Sequence, residues 1–165
     1  MLKHIALALI FLACGGAGAY YSRAMFLRVK ELEAALQMLG SLRAQLQFSR
    51  PPLERMLSDI CAGQPPVFLP HALRQMRAGT AFPAAWHDAL LRHSPALRQE
   101  DRARLLPLGE LLGASDAAGQ REALLLQESL LQAQLEQARA RRDSRGKAVF
   151  TLGILAGLTV MILFI

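Results

Sequence analysis

Residues 109–120 read GELLGASDAAGQ, and within them Ser115 and Asp116 follow a glycine between two leucine-rich stretches. A serine so placed invites comparison with a hydrolase nucleophile, which sits in G-x-S-x-G on a sharp strand-to-helix turn. Here the five residues are GASDA: the second glycine is missing, and the residues before it have helical spacing. A nucleophilic serine also needs a histidine and a third group to orient it. His71, His87 and His93 fall in predicted helices or at their ends, without a recognisable arrangement. The Gly-Lys of SRGKAV (144–149) lacks the upstream glycine and the Ser/Thr of a phosphate-binding loop. No C-x-x-C, no H-E-x-x-H and no carboxylate cluster with ligand spacing occurs. These residue types point to no catalytic centre, no metal and no cofactor.

The same residues serve fully as punctuation between helices. Gly113 follows an apolar helix and suits a C′ residue with positive φ. Ser115 or Asp116 can accept from the free N–H groups of the next helix, where the Asp charge also suits the helix dipole. Gly109 and Gly113, four apart, allow close packing, although a glycine inside a helix costs about 1 kcal/mol relative to alanine.

What must position this turn is read from the rest of the chain. The 165 residues are 53% apolar with a mean hydropathy of +0.24, high for one ordinary domain, and the excess lies at the two ends. HIALALIFLACGGAGAYY (4–21) and AVFTLGILAGLTVMILFI (148–165) contain no Asp, Glu, Lys or Arg. Eighteen residues at 1.5 Å each reach about 27 Å, enough for a hydrocarbon core of about 30 Å. Both stretches are rich in small residues that let membrane helices approach, and Tyr20 and Tyr21 suit the interface. Two transmembrane helices are therefore expected. A cleaved signal peptide is the alternative for the first, with Lys3 as its n-region; FLAC is a poor lipoprotein site, because Phe11 stands three before Cys14.

Orientation follows from the flanking cations. Arg23, Arg28 and Lys30 follow the first stretch, and Arg139, Arg141, Arg142, Arg145 and Lys147 precede the second. Both groups favour a cytoplasmic middle segment (22–147), with both termini outside the cell (inner) membrane. That segment holds 18 of the 19 basic residues and all 13 acidic ones. Its cations crowd toward the apolar ends without interleaved aromatics, which suits anionic lipid rather than nucleic acid. Cys14 and Cys61 imply no disulfide framework.

The middle segment reads as helical throughout. Leu27, Leu32, Leu36, Leu39, Leu42 and Leu46 line one predicted face, with Glu31, Glu33, Arg43 and Gln47 on the others. Pro51 and Pro52 end that helix, and a second presents Leu53, Met56, Leu57 and Ile60. After GQPP (63–66), a third presents Phe68, Ala72, Leu73 and Met76, with Pro70 in its first turn and Gly79 as C-cap. Thr80 is the N-cap candidate for a fourth, with Phe82, Trp86, Ala89 and Leu90 inward. Leu105, Leu108, Leu111 and Leu112 form the stripe of a fifth, where Pro107 implies a kink or a later start. From Asp116 to Lys147, Leu124, Gln127, Leu131, Leu135 and Ala138 repeat helically, so that one rod can run unbroken into the second apolar stretch. The expected fold is all-α: an antiparallel bundle of about six cytoplasmic helices between two membrane helices.

At this point the chain resembles a known family. MLK precedes a span containing LAC, Pro52 and Leu53 open the second helix, and AWHDAL carries Trp86. LGELLGASDAAGQ then fits LG-x-x-LG-x-SD-x-x-x-Q through Leu108, Gly109, Leu112, Gly113, Ser115, Asp116 and Gln120, and an LGILAGL span closes the chain. Together these are similar to the stage III sporulation protein AB family, with Pro107 and Gly119 as local departures. The resemblance implies a non-enzymatic membrane component of a secretion-like assembly in the mother cell, facing the forespore. It further implies a bundle like the platform-protein domains of type II secretion and type IV pilus systems. The implied partners are the AA-type ATPase of the same sporulation cluster, other membrane proteins of the complex and the bilayer. The alternative class is a membrane-anchored signalling adaptor, but the breaks at 49–52 and 63–66 oppose the long unbroken heptads expected of one.

Overall fold

The computed structural model describes the backbone of residues 2–48, 51–112 and 117–146, together with Thr151, Leu155 and Thr159. Side chains along the first helix are described at Gly16 and from Gly18 to Gln47. Among the described residues the chain is all-helical, without strands. It forms α1 (Leu2–Phe48), α2 (Leu53–Cys61), α3 (Leu69–Arg77), α4 (Phe82–Arg92), α5 (Gln99–Leu105), α6 (Leu108–Leu111) and α7 (Ala117–Arg141). A π-helical turn, Arg142–Gly146, follows α7. Two compact units result: a helical body, Arg28–Glu136, and a terminal unit made of Met1–Leu27 and Gln137–Ile165.

Within the body, apolar spacing decides most of the core. On α1, Val29, Leu32, Ala35, Met38, Leu39, Leu42 and Leu46 are buried, at the three- and four-residue intervals of one helix face. Leu124, Leu131 and Leu135 do the same on α7. The short helices supply Met56, Leu57, Phe68, Leu69, Ala72, Trp86, Ala89, Leu90, Leu105 and Leu108. Helices α3 and α4 form an antiparallel hairpin, since His71 meets His93 while Gln75 donates to Asp88. Their turn is a Schellman closure. Gly79 has φ +94°, its N–H reaches the carbonyl of Met76, and Thr80 N–H reaches that of Gln75.

Several expectations are corrected. Leu27 is 43% exposed, and the buried face of α1 within the body begins at Val29 instead. Thr80 does not cap α4: Ala81 holds the N-cap position, with Pro83 fixing the first turn. The stretch around Pro107 is two helices, α5 and α6, because proline cannot continue α5 but can begin α6. The last rod is interrupted at Arg142–Gly146 by the π turn, where one extra residue per turn alters the helix phase. No helix among the described residues is long and apolar enough to cross a membrane. Of the two expected spans, 148–165 lies outside the described residues save Thr151, Leu155 and Thr159. So do the side chains of 4–15 and Ala17.

Two polar contacts fasten α1 to the short helices. Arg28 is buried and donates through Nε and Nη2 to both carboxylate oxygens of Asp101, each at 2.8 Å. Asp101 is the third residue of α5, and its Oδ2 also accepts the N–H of Arg98 at 2.9 Å, capping that helix. Hydrogen bonding to Asp101 holds the Arg28 guanidinium above its ordinary pKa, against the opposing effect of burial. Three residues on, Glu31 is buried too, not on an outer face, and its Oε1 accepts Val67 N–H at 2.7 Å. Burial raises the Glu31 pKa, with the Val67 bond opposing. A further pair, Arg43 and Glu128 (3.1 Å), is partly exposed and adds at most about 1 kcal/mol.

Replacing Arg28 by Met leaves Asp101 charged and buried, and is expected to cost about 3–5 kcal/mol in chemical denaturation. Adding Asp101→Asn should recover part of the loss, since Asn can still accept from Arg98; an Arg28→Met loss below about 1 kcal/mol would contradict the assigned role. Glu31 gives a pH test. Its folded pKa lies above its unfolded one, so between them the folded state holds a proton the unfolded state has shed. Stability from this group therefore falls as pH rises through that interval. Glu31→Gln, which keeps the acceptor but cannot ionise, should gain stability relative to wild type as pH rises from about 4.5 toward neutrality. Parallel pH profiles for the two proteins would count against the assignment.

Candidate functional site

Of the residues singled out by the signature, Gly109 meets the single tryptophan. Helix α4 starts with Phe82 and Pro83 and buries Phe82, Ala85, Trp86, Ala89 and Leu90 along one face. The Trp86 ring is fully buried, edge-on to Phe68 (centroids 5.1 Å) and tilted against Phe82 (5.6 Å). Its indole N–H donates to the carbonyl of Leu105 at 2.9 Å. Leu105 ends α5. In a continued helix its carbonyl would take the N–H of Gly109, but that N–H bonds Leu106 instead, at 3.2 Å. The indole fills the acceptor left open by the break at Pro107.

Gly109 lies on the other side of this contact. A Cβ there would stand 2.8 Å from Trp86 Cδ1 and 3.1 Å from Cγ, so only glycine lets α6 lie against the ring. Leu108 is fully buried beside it, and Leu112 is 7% exposed. Gln120, near the start of α7, is 7% exposed and engaged with a partner. Gly119 is helical and exposed. Gly113, Ser115 and Asp116, with the proposed cap-to-cap turn, lie outside the described residues. Pro52 stands at the N-cap of α2, where its carbonyl accepts from Arg55 and Met56; Leu53 is half-buried. Gly109, Trp86 and the Leu105 carbonyl thus form a packed joint among α4, α5 and α6, while Gln120, Pro52 and Leu53 lie on other elements.

Outside the joint, the structure pairs two histidines that the spacing left apart. His71 and His93 stack with centroids 3.7 Å apart and planes 5° from parallel, while His87 is exposed. Burial, aided by His93 and Arg74, lowers the His71 pKa. Lone pairs of stacked imidazoles lie in parallel planes and do not converge on one ion. Among the described residues no three His, Cys, Asp or Glu side chains gather as a metal site. Beside α2, Pro52, Glu54, Arg55, Ser58, Asp59 and Arg77 line an open depression of about 360 Å³. Its charges are mixed, and Arg77 already bonds Glu54 (2.9 Å) and Ser58 (3.2 Å). Burial raises the Cys61 thiol pKa, away from the reactive thiolate.

Arg28, Glu31 and Asp101 were missed as site residues, although a signal existed. Arg28 lies three after Met25 and four before Leu32, in register with the apolar face; Glu31 lies seven before Met38.

Comparison with protein families matches residues 3–165 to the model described as stage III sporulation protein AB. Among solved structures, a chain titled stage III sporulation protein AB is similar at a TM-score of 0.62 and 22% identity. That match covers 72% of this chain and 98% of the other, a likeness of fold. Comparison with curated proteins gives no match.

The joint makes a specific forecast. Gly109→Ala should destabilise by about 1–3 kcal/mol despite alanine's better helix propensity, because the new methyl meets the rigid base of the indole. Emission of the lone Trp86 should report the repacking. Unchanged stability and unchanged emission would sink the close-approach explanation.

Proposed function

This chain belongs to the stage III sporulation protein AB family, and from that premise we propose that it is a non-enzymatic membrane platform of a secretion-like assembly formed during sporulation. In this reading the apolar stretches 4–21 and 148–165 anchor it in the mother-cell membrane that faces the forespore. The helical body is cytoplasmic and receives the secretion-type ATPase of the same cluster, while the spans pack against other membrane components.

The observation that carries the reading is the way the two long helices connect body and ends. Helix α1 runs as one element from Leu2 to Phe48, from the first apolar stretch into the buried face of the body. Helix α7 carries the chain from the body to Arg141, seven residues before the second apolar stretch. A continuous helix transmits axial force better than a loop, which suits a part that passes work from an ATPase to a membrane complex. Packing favours the same role: the polar groups described in the body's interior hold helices together, and the signature residues Leu108 and Gly109 serve a joint.

Co-expression of the full chain with the cluster's ATPase tests the proposal. Affinity capture of the tagged chain from detergent-solubilised membranes should retain the ATPase in a stable ratio. Both proteins folded and membrane-extracted, yet no association in detergent or by cross-linking in sporulating cells, would defeat the docking role.

A further inference from the structure

Two imidazoles close the end of the α3–α4 hairpin that lies opposite the Gly79 turn. His71 stands in the first turn of α3 and His93 directly after α4, and their rings stack with centroids 3.7 Å apart. Both residues are half-buried, so protons reach them from solvent. Further along the hairpin, Gln75 donates to Asp88 (2.8 Å), and Asp88 also pairs with Arg92 (2.6 Å). Beyond the stack, Arg102 donates to the carbonyl of Ser94 (2.8 Å) and to its hydroxyl (3.1 Å), which ties α5 to the residue next to His93.

The charges nearest the stack along these elements are cations. Arg74 follows His71 by one turn on α3, and Arg102 reaches the neighbour of His93 from α5. The acids of the surrounding elements are engaged or exposed elsewhere. Asp88 is taken by Gln75 and Arg92, Glu54 on α2 pairs with Arg77, Asp101 on α5 pairs with Arg28, and Glu31 on α1 accepts from Val67. Asp59, Glu100 and Glu110 are exposed. Among the described residues neither ring has a carboxylate partner. Burial, then His93 and Arg74, oppose a positive charge on His71. The positive end of the α3 dipole acts in the same sense. One protonated ring can face a neutral one, whose π-system attracts a cation. Two protonated rings at 3.7 Å repel each other, and no acid offsets them.

We propose that the His71–His93 stack is a proton-operated clasp. It holds the open end of the hairpin, and with it the Ser94–Arg102 tie to α5, while the pair carries at most one proton. It releases that end when both rings are charged. Rings that have come apart take the second proton more readily than stacked ones do. Acid therefore shifts the balance toward the open hairpin, and the closed form regains its advantage as pH rises.

Imidazole NMR titration of the full chain in a non-ionic detergent follows each ring, assigned with the single variants. Hydrogen exchange, corrected for its intrinsic pH dependence, follows residues 69–74 and 89–95. The stacked pair should titrate in two steps with midpoints at least about one pH unit apart. Below the lower midpoint, exchange in both segments should quicken by about ten-fold, while residues 124–138 keep their protection. His93→Gln should raise the His71 midpoint and remove the acid-induced exchange. Glu31 is retained in this variant, so its own titration cancels in the comparison. Arg74→Gln keeps the stack and should also raise the lower midpoint, whereas His87→Gln, on the exposed face of α4, should change neither. A common midpoint for the two rings, a His71 midpoint unmoved by both variants, or exchange in the two segments indifferent to pH overturns the clasp. Acid-induced exchange spread equally over residues 124–138 overturns it as well, since that is opening of the whole body.

Discussion

Asp101 has no exposed side-chain surface, and a carboxylate so placed is tolerated only when other groups replace the water it has lost. Three donors do so. Arg28 presents the fork of its guanidinium to both oxygens, and Arg98 adds its backbone N–H. The arrangement is demanding: α1 must stand where its Arg28 reaches α5, and α5 must begin where Asp101 can cap it. Paired buried charges add little net stability compared with apolar residues of the same size, so their main effect lies in position. Here they set the placement of α5, and through it the carbonyl of Leu105 that Trp86 needs.

From that point the joint around the tryptophan follows. The break at Pro107 frees the Leu105 carbonyl, the indole N–H fills it, and Gly109 yields the space that lets α6 lie on the ring. Each part makes the next tolerable. Proline without the indole leaves an unpaired buried acceptor, and the indole without glycine leaves α6 nowhere to pack. Gly109 of the signature thereby acquires a mechanical sense. In a protein proposed to pass force between a partner and a membrane, a tightly locked body is useful, because a yielding one would dissipate the push.

Much of the fold was legible in the residues. Leucine spacing in α1 and α7, the breaks at Pro51–Pro52 and GQPP, and Gly79 as the end of α3 are local signals, and each corresponds to an observed feature. Thr80 and Leu27 were misplaced for a local reason as well. Pro83 sets the start of α4 more firmly than a threonine hydroxyl does, and a leucine near a helix end need not face inward. The candidate site was less legible. Gly109 could be read as a close-packing glycine, but its partner could not, because Trp86 lies 23 residues away on another helix.

What the sequence determined by itself is what depends on neighbours along the chain: helical periodicity, the proline and glycine stops, the two uncharged ends and the family signature. Local backbone preference and the apolar moment of a helix are properties of a few consecutive residues, so they can be read without knowing the fold. Only the tertiary structure decided that Arg28 and Asp101, 73 residues apart, neutralise each other, that Glu31 turns inward to Val67, and that His71 stacks on His93. Pairings of this kind depend on which helix faces meet. That choice is made by the packing of the whole core, and a charge on a helix carries no local mark of whether water or a buried partner will face it.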